Sequence, residues 1–501
     1  MTPAFSFRST IVSLSKNTGL FLIVRIVGAC LSIGLLPLFT RYLTPDEYGT
    51  IAILDSMVEI FGAFCAVGLG QAVVRFYHDA ADERQRKQVV STAMIMSGAI
   101  TVCALILTVF IARPIAFLTL KSHEYDNFVI LAVSTMLIGF PIGIASAVLL
   151  ASARSRLMCT IELIRIVFGA SLKIYLVVFL KLGISGVLWG NFISAVLLSG
   201  SLAVWLIFSV GISVDRSLIR QMFRYGLPFV PTVLSSIAMH SLNRFYLRTY
   251  GTSEQVAYYQ LATQLPFALN SMIISSFEAI WSSHTVFTIA KAPDASRHYL
   301  RISTYFLFLL SFVLFVVAIF ANIIVKLFAA PEYAPAALYI PFISFGLWLY
   351  AFHIFVRTGV ILSKNTYLLA INYGLTLVAS VLFNWLLIPR LGSYGAAYAA
   401  IIIYFSFSFV GGLIYKGFGY LDLRRLIAIS IIWITLVLIR YQIGSNLIYT
   451  EIMCGILFSV LYLGLMFYLP FCMSKEERID IFTFIRNILQ QKRNMFQIFK
   501  S

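Results

Sequence analysis

Six ionisable side chains stand in stretches of sequence that are otherwise hydrocarbon: Arg25, Asp55, Glu59, Glu162, Arg165 and Lys173. A charge withdrawn from water costs several kcal/mol unless something answers it, so such groups face a partner or a wet path. Arg25, Arg165 and Lys173 are candidates to bind an anionic headgroup. Asp55 and Glu59 lie four apart, on one helical face. With Glu162 they are candidates for coupling to an ion, H+ or Na+. Glu162 and Arg165 are three apart and can equally pair with each other. Three acids balance three bases, so a strongly positive path does not follow from the count.

Other polar groups are read differently. Arg244, Arg357 and Glu278 fall near expected helix ends, where a long side chain reaches water. His240 and His353 are lone histidines, suited to packing and hydrogen bonding. Pro228 and Pro231 in GLPFVPTVLSS suggest a hinge or a static bend. The six cysteines carry no spacing of a metal centre or a disulfide framework. No metal and no organic cofactor are expected.

These residues need elements to hold them. Of 501 residues, 60% are apolar and only 11% charged. Soluble proteins carry about 25% charged residues, and single cores stop growing at roughly 250–300 residues. Lipid must therefore be the solvent for much of the surface. The fold class is all-α integral membrane. Fourteen continuous apolar runs lie near 17–40, 48–70, 89–112, 128–151, 157–180, 185–211, 226–249, 255–280, 300–329, 335–362, 366–389, 393–417, 426–444 and 447–471. They are not alternating, which excludes a barrel. No short apolar run with a cleavage site opens the chain, so the first run is expected to be a span.

The net charge of +17 follows the membrane rather than nucleic acid. With a cytoplasmic N-terminus, 24 of the 37 basic residues fall in inward segments, 8 in outward segments and 5 inside spans. That bias is the positive-inside pattern and puts both termini in the cytoplasm. The tail 472–501 reads as a basic amphipathic segment on that leaflet.

The elbow RYLTPDEYGT at 41–50 holds a capping box, Thr44 with Glu47, and Pro45 at the first helical position. A fainter copy, Thr252 with Gln255, follows 208 residues later. KLGISGVLWG at 181–190 matches RLGSYGAAYA at 390–399 with an offset of 209. The near-equal offsets indicate two parallel six-helix lobes around a central cleft, 1–211 and 212–417, followed by two helices (418–471) and the tail. The deep charges are not duplicated. Two such bundles and very short outward loops favour a transporter over an enzyme.

FTRYLTPDEYGTIAIL, GLGQAVVRFY and the KLGISGVLWG turn resemble the polysaccharide-type flippases of the multidrug/oligosaccharidyl-lipid/polysaccharide exporter superfamily. The resemblance implies inward- and outward-facing states. It also implies a polyprenyl-diphosphate-linked oligosaccharide as cargo, moved across the bacterial inner membrane for O-antigen or exopolysaccharide synthesis. In such flippases an arginine of the first span is expected to meet the diphosphate, and Arg25 is the matching position. Implied partners are the lipid-linked oligosaccharide, membrane lipids, and polysaccharide polymerase and chain-length machinery. Two alternatives stay open: a drug or cation exporter of the same superfamily, and a membrane-embedded polysaccharide polymerase or ligase.

Overall fold

The structure, a computed structural model, describes residues 7–469 apart from 122–123, 153, 291–293, 364, 366 and 444–447, with side chains from 23 onward except 155 and 283–284. The tail 472–501 lies outside the described residues. All regular structure among those described is helical.

The fourteen apolar runs each correspond to a helical span. Span one is Phe7–Tyr42, two Pro45–Ala66, three Glu83–Leu120, and four Asp126–Ile138 continued by Phe140–Ala151. Span five is Ser155–Ile174 with a π turn Tyr175–Phe179, and six is Gly183–Val210. Span seven is Phe229–Tyr250, eight Ser253–Leu269 and onward to Ile280, and nine Ala295–Ile319 with Ala321–Phe328. Span ten runs from Pro331–Leu338 through Ile340–Ala351 to Ser363. Spans eleven and twelve form one helix, Tyr367–Ile414, broken at Gly392; thirteen is Leu423–Gln442 and fourteen Ile448–Tyr468. A short helix, Leu69–Asp79, follows span two, and a linker helix, Arg216–Gly226, joins six to seven.

Nine of these helical runs are long and apolar enough to cross a bilayer, and one of them, Tyr367–Ile414, holds two spans. Spans five, seven, eight and thirteen fall short of that measure. Their apolar runs are interrupted by Arg165 and Lys173, Arg244, Gln260 and Gln264, and Arg440.

The two elbows show why the chain can turn so sharply. Thr44 accepts from the Glu47 N–H at 3.3 Å, and the Glu47 carboxylate accepts from the Thr44 N–H at 2.9 Å. Both halves of the box are made, which leaves fewer orphan donors where the helix begins. Thr252 accepts from the Gln255 N–H at 3.3 Å, the same contact in the copy. Gly183 and Gly392, 209 residues apart, both have φ of +54°, a left-handed conformation that favours glycine. A Cβ on Gly183 would lie 2.8 Å from Glu47 Oε1, and one on Gly392 would lie 3.7 Å from Gln255 Nε2. The two sequence matches are therefore two halves of one contact, made once in each lobe.

The lobes share an apolar core at the end where spans one and two are joined, here called the elbow face. Leu43, Tyr48 and Leu120 of the first lobe merge there with Leu247, Tyr259 and Tyr333 of the second. Tyr333 donates to the Leu43 carbonyl at 3.1 Å, and the Ala330 N–H donates to Thr40 at 3.3 Å. Lys121 donates to the Thr249 carbonyl at 2.7 Å and Arg248 to the Leu120 carbonyl at 2.6 Å. Each of these cations satisfies a carbonyl at the C-terminus of the other helix, where the dipole also favours positive charge. Toward the opposite, linker face the cores separate: Leu69, Val89 and Met222 lie in one, and Trp281, Trp348 and Phe355 in another. The molecule is sealed at the elbow face.

Candidate functional site

A cavity of about 670 Å³ lies behind that seal. Spans one, two, four, five and six of the first lobe form most of its wall, and Gln260 and Gln264 of span eight close the remaining side. Its volume falls within the range of ligand pockets, about 300–1,000 Å³.

Three of the six sequence candidates meet there: Asp55, Arg165 and Lys173 all line the cavity. Asp55 is accessible although its neighbours Ile51–Leu54, Ser56 and Met57 are buried, because its carboxylate opens into the void. Arg165 donates to Glu162 Oε2 from Nε at 2.9 Å and from Nη2 at 2.8 Å. It keeps 49% of its side chain accessible, so pairing and cavity lining are not exclusive. Lys173 is positioned by its neighbour helix: a Cβ on Gly190 would lie 2.8 Å from Lys173 Cγ and 3.3 Å from its Cα. The absent side chain at 190 lets span six approach span five and leaves room for the lysine stem.

The uncharged wall is mostly apolar, with Leu31, Leu35, Phe39, Val58, Met136 and Ile142 among its residues, and it is set with amides and hydroxyls from Asn191, Ser194, Ser199, Ser32, Thr135, Gln260 and Gln264. Gln264 crosses between the lobes, accepting from Ser32 and donating to the Tyr48 hydroxyl, each at 3.4 Å. The arrangement offers two cations, one carboxylate and several groups that both donate and accept hydrogen bonds. It can hold an anion beside a polyhydroxylated body.

The other candidates lie elsewhere. Arg25 is accessible and stands one turn before Gly28, the first cavity residue of span one, so it sits at the linker-face edge and not on the wall. Glu59 accepts from Ser241 at 2.6 Å and thereby ties span two to span seven. Pro228 caps span seven and Pro231 lies in its first turn, where proline costs no helical hydrogen bond. The helix then runs unbroken to Tyr250.

Sequence reasoning missed Arg244. It was expected to reach water near a helix end, yet it is 6% exposed and donates to Ser56 at 2.7 Å across the lobe interface. Six residues, about 9 Å by helical rise, separate it from the end at Tyr250, and that depth was the available signal. Arg357 and Glu278, also expected at helix ends, form an ion pair inside the second lobe.

These features define the class: a two-lobed helical membrane protein with a charged and partly polar cavity between its elbow and linker faces. Among solved structures, the lipid II flippase MurJ in an inward closed conformation superposes with a TM-score of 0.72 at 15% identity. That match spans 89% of this chain and 98% of the other. An inward-facing multidrug resistance MATE family transporter of the MOP superfamily gives 0.57 at 18% identity, over 79% and 97%. A MOP superfamily transporter from Pyrococcus furiosus, described by the reversed polarity of its binding pocket, gives 0.55 at 17%, over 80% and 95%. No curated protein sequence matches. Residues 38–338 match the family described as polysaccharide biosynthesis protein, and the chain belongs to that family.

Proposed function

We propose that this protein is a flippase that carries polyprenyl-diphosphate-linked oligosaccharide repeat units from the cytoplasmic to the outer leaflet of the bacterial inner membrane. The observation that carries this reading is that Arg165 and Lys173 share one wall of a large cavity whose otherwise largely apolar lining is set with amides and hydroxyls. A diphosphate carries about two charges, and crossing lipid is prohibitive unless cations receive it. Lys173 and Arg165 receive the diphosphate, and Asn191, Gln260 and Gln264 exchange hydrogen bonds with the sugars. Arg25, one turn outside, meets the headgroup on entry. The polyprenyl tail stays in lipid.

The basic loops mark the linker face as cytoplasmic, with both termini on that side. The state described is then closed to the outside. Transport requires the elbow-face contacts to part while the linker face closes, with spans two and seven sliding at Ser56–Arg244 and Glu59–Ser241. Asp55 and Glu59 are the groups through which a coupling H+ or Na+ acts. The product feeds a polymerase and its chain-length machinery for surface O-antigen or exopolysaccharide.

The test is genetic. In a strain lacking the gene, lipid-linked oligosaccharide should accumulate on the cytoplasmic side, and the wild-type gene but not Lys173→Gln should restore surface polysaccharide. Normal export in the deletion strain, or full rescue by Lys173→Gln with Arg165→Gln, contradicts the reading.

A further inference from the structure

At the linker face the ends of spans three and six leave a crevice of about 220 Å³. Its walls are hydrocarbon from Val90, Met94, Ile95, Leu206, Ile207 and Val210. The one hydroxyl, Ser91, already accepts from the Ser213 N–H at 2.8 Å. Nothing in it holds a sugar, an ion or a peptide backbone, but an acyl chain fits such a slot.

The chain next to the crevice is basic on both sides. The chain leaving span six is tied to span three by Ser213 to Ser91 and by the Asp215 N–H to Thr92 at 3.5 Å. Asp215 then caps the linker helix, and its carboxylate is occupied. Hydrogen bonds from the Ser217 hydroxyl and from the Ser217 and Leu218 N–H groups hold its pKa below the usual carboxylate value. On that helix Arg216, Arg220 and Arg224 recur every four residues, and all three are exposed. Met222, on the opposite side, is completely buried in the first-lobe core. Lys87, also exposed, stands one turn before Ser91 on span three. Among the described residues none of these four cations has an acid partner. The positive-inside pattern explains their sign. It does not explain a single exposed row, opposite a buried face, beside an apolar slot.

We infer that this corner binds an anionic glycerophospholipid of the linker-face leaflet. One acyl chain fills the crevice, Lys87 and Arg216 take the phosphate, and Arg220 and Arg224 gather further headgroups. Bound there, the lipid braces spans three and six against the linker that joins the lobes. The composition of that leaflet then bears on how the lobes move. The inference is independent of the transported cargo.

The experiment uses the purified full-length protein in detergent, with retained lipids counted by native mass spectrometry. Phosphatidylglycerol should bind at least tenfold more tightly than phosphatidylcholine, since each basic residue near an anionic headgroup is worth about fivefold. Replacing Lys87, Arg216, Arg220 and Arg224 together by Gln should abolish the preference. Lys87→Arg with the three Arg→Lys changes should keep it, and Ile95→Trp, which fills the crevice, should weaken phosphatidylglycerol binding with every charge in place. The last two variants keep the test open if the neutralised protein fails to fold. Equal binding of the two lipids overturns the inference, as does a preference that survives neutralisation. Displacement of phosphatidylglycerol by a tighter-binding polyprenyl phosphate also overturns it, because the occupant would then be cargo.

Discussion

In the first lobe Asn191 and Ser194 line a cavity; in the second, the residues 209 places on, Ala400 and Ile403, are buried at 3% and 1% exposure. Asp55 opens into the same void, while Thr263, its counterpart, is 1% exposed. The counterparts of Arg165 and Lys173 are Gly374 and Leu382. The turns that bind each elbow to its own lobe are kept in both halves, down to the backbone of Gly183 and Gly392. A duplicated scaffold has thus been finished in two ways. One half keeps space and charge. The other is filled by Trp281, Trp348 and Phe355 and by His353 stacked on Phe407 at 4.0 Å, and its Phe315 stacks at 4.0 Å on Tyr462 of the appended span fourteen. Within lipid such packing is the main force between helices, so the second lobe is the anchor and the first the chamber.

The largest effect should come from opening the filled lobe. Trp348 is completely buried and donates to the Leu307 carbonyl at 2.9 Å. Trp348→Ala should lower stability by about 3–5 kcal/mol in a detergent melt, whereas Asn191→Ala should move it by less than about 1 kcal/mol. The converse asymmetry should hold for transport. Lys173→Gln should remove the proposed charge contact with the headgroup, worth about 2–5 kcal/mol, and lower export by at least roughly thirtyfold. Leu382→Gln, at the matching place in the second lobe, should leave transport within about twofold of wild type.

Gly190→Ala sharpens the comparison, because its counterpart is already Ala399. The added methyl meets Lys173, so the variant should lose about 1–3 kcal/mol of stability and part of the transport rate together. Ala399→Gly should cost only about 0.5–1 kcal/mol and leave transport intact. The smallest difference concerns the elbows. Thr44→Ala breaks a reciprocal box and Thr252→Ala a single bond; both should cost about 1 kcal/mol in thermal melts, with Thr44→Ala the larger.

What could be read from the sequence was local. Apolar run length, the spacing of Thr44 to Glu47 and the glycine turns each depend on a few adjacent residues, so spans, elbows and duplication emerge from the chain alone. Which face of a helix meets a void depends on how that helix is rotated by its neighbours. Arg165 and Lys173 turn to the cavity, while Arg25, on a comparable run, stops a turn short of it. The partner of Glu59 is 182 residues away and that of Arg244 is 188 away, distances at which a single sequence carries no signal.

The central claim is that a charged headgroup passes through the first-lobe cavity. Purified protein reconstituted into vesicles with a polyprenyl-diphosphate oligosaccharide on one leaflet tests it directly, with sugar arriving on the other leaflet detected by an impermeant lectin. The account predicts transfer by wild type, by Leu382→Gln and by Ala399→Gly, and loss of transfer in Lys173→Gln. Equal transfer rates for wild type and Lys173→Gln, in protein of equal stability, would contradict it.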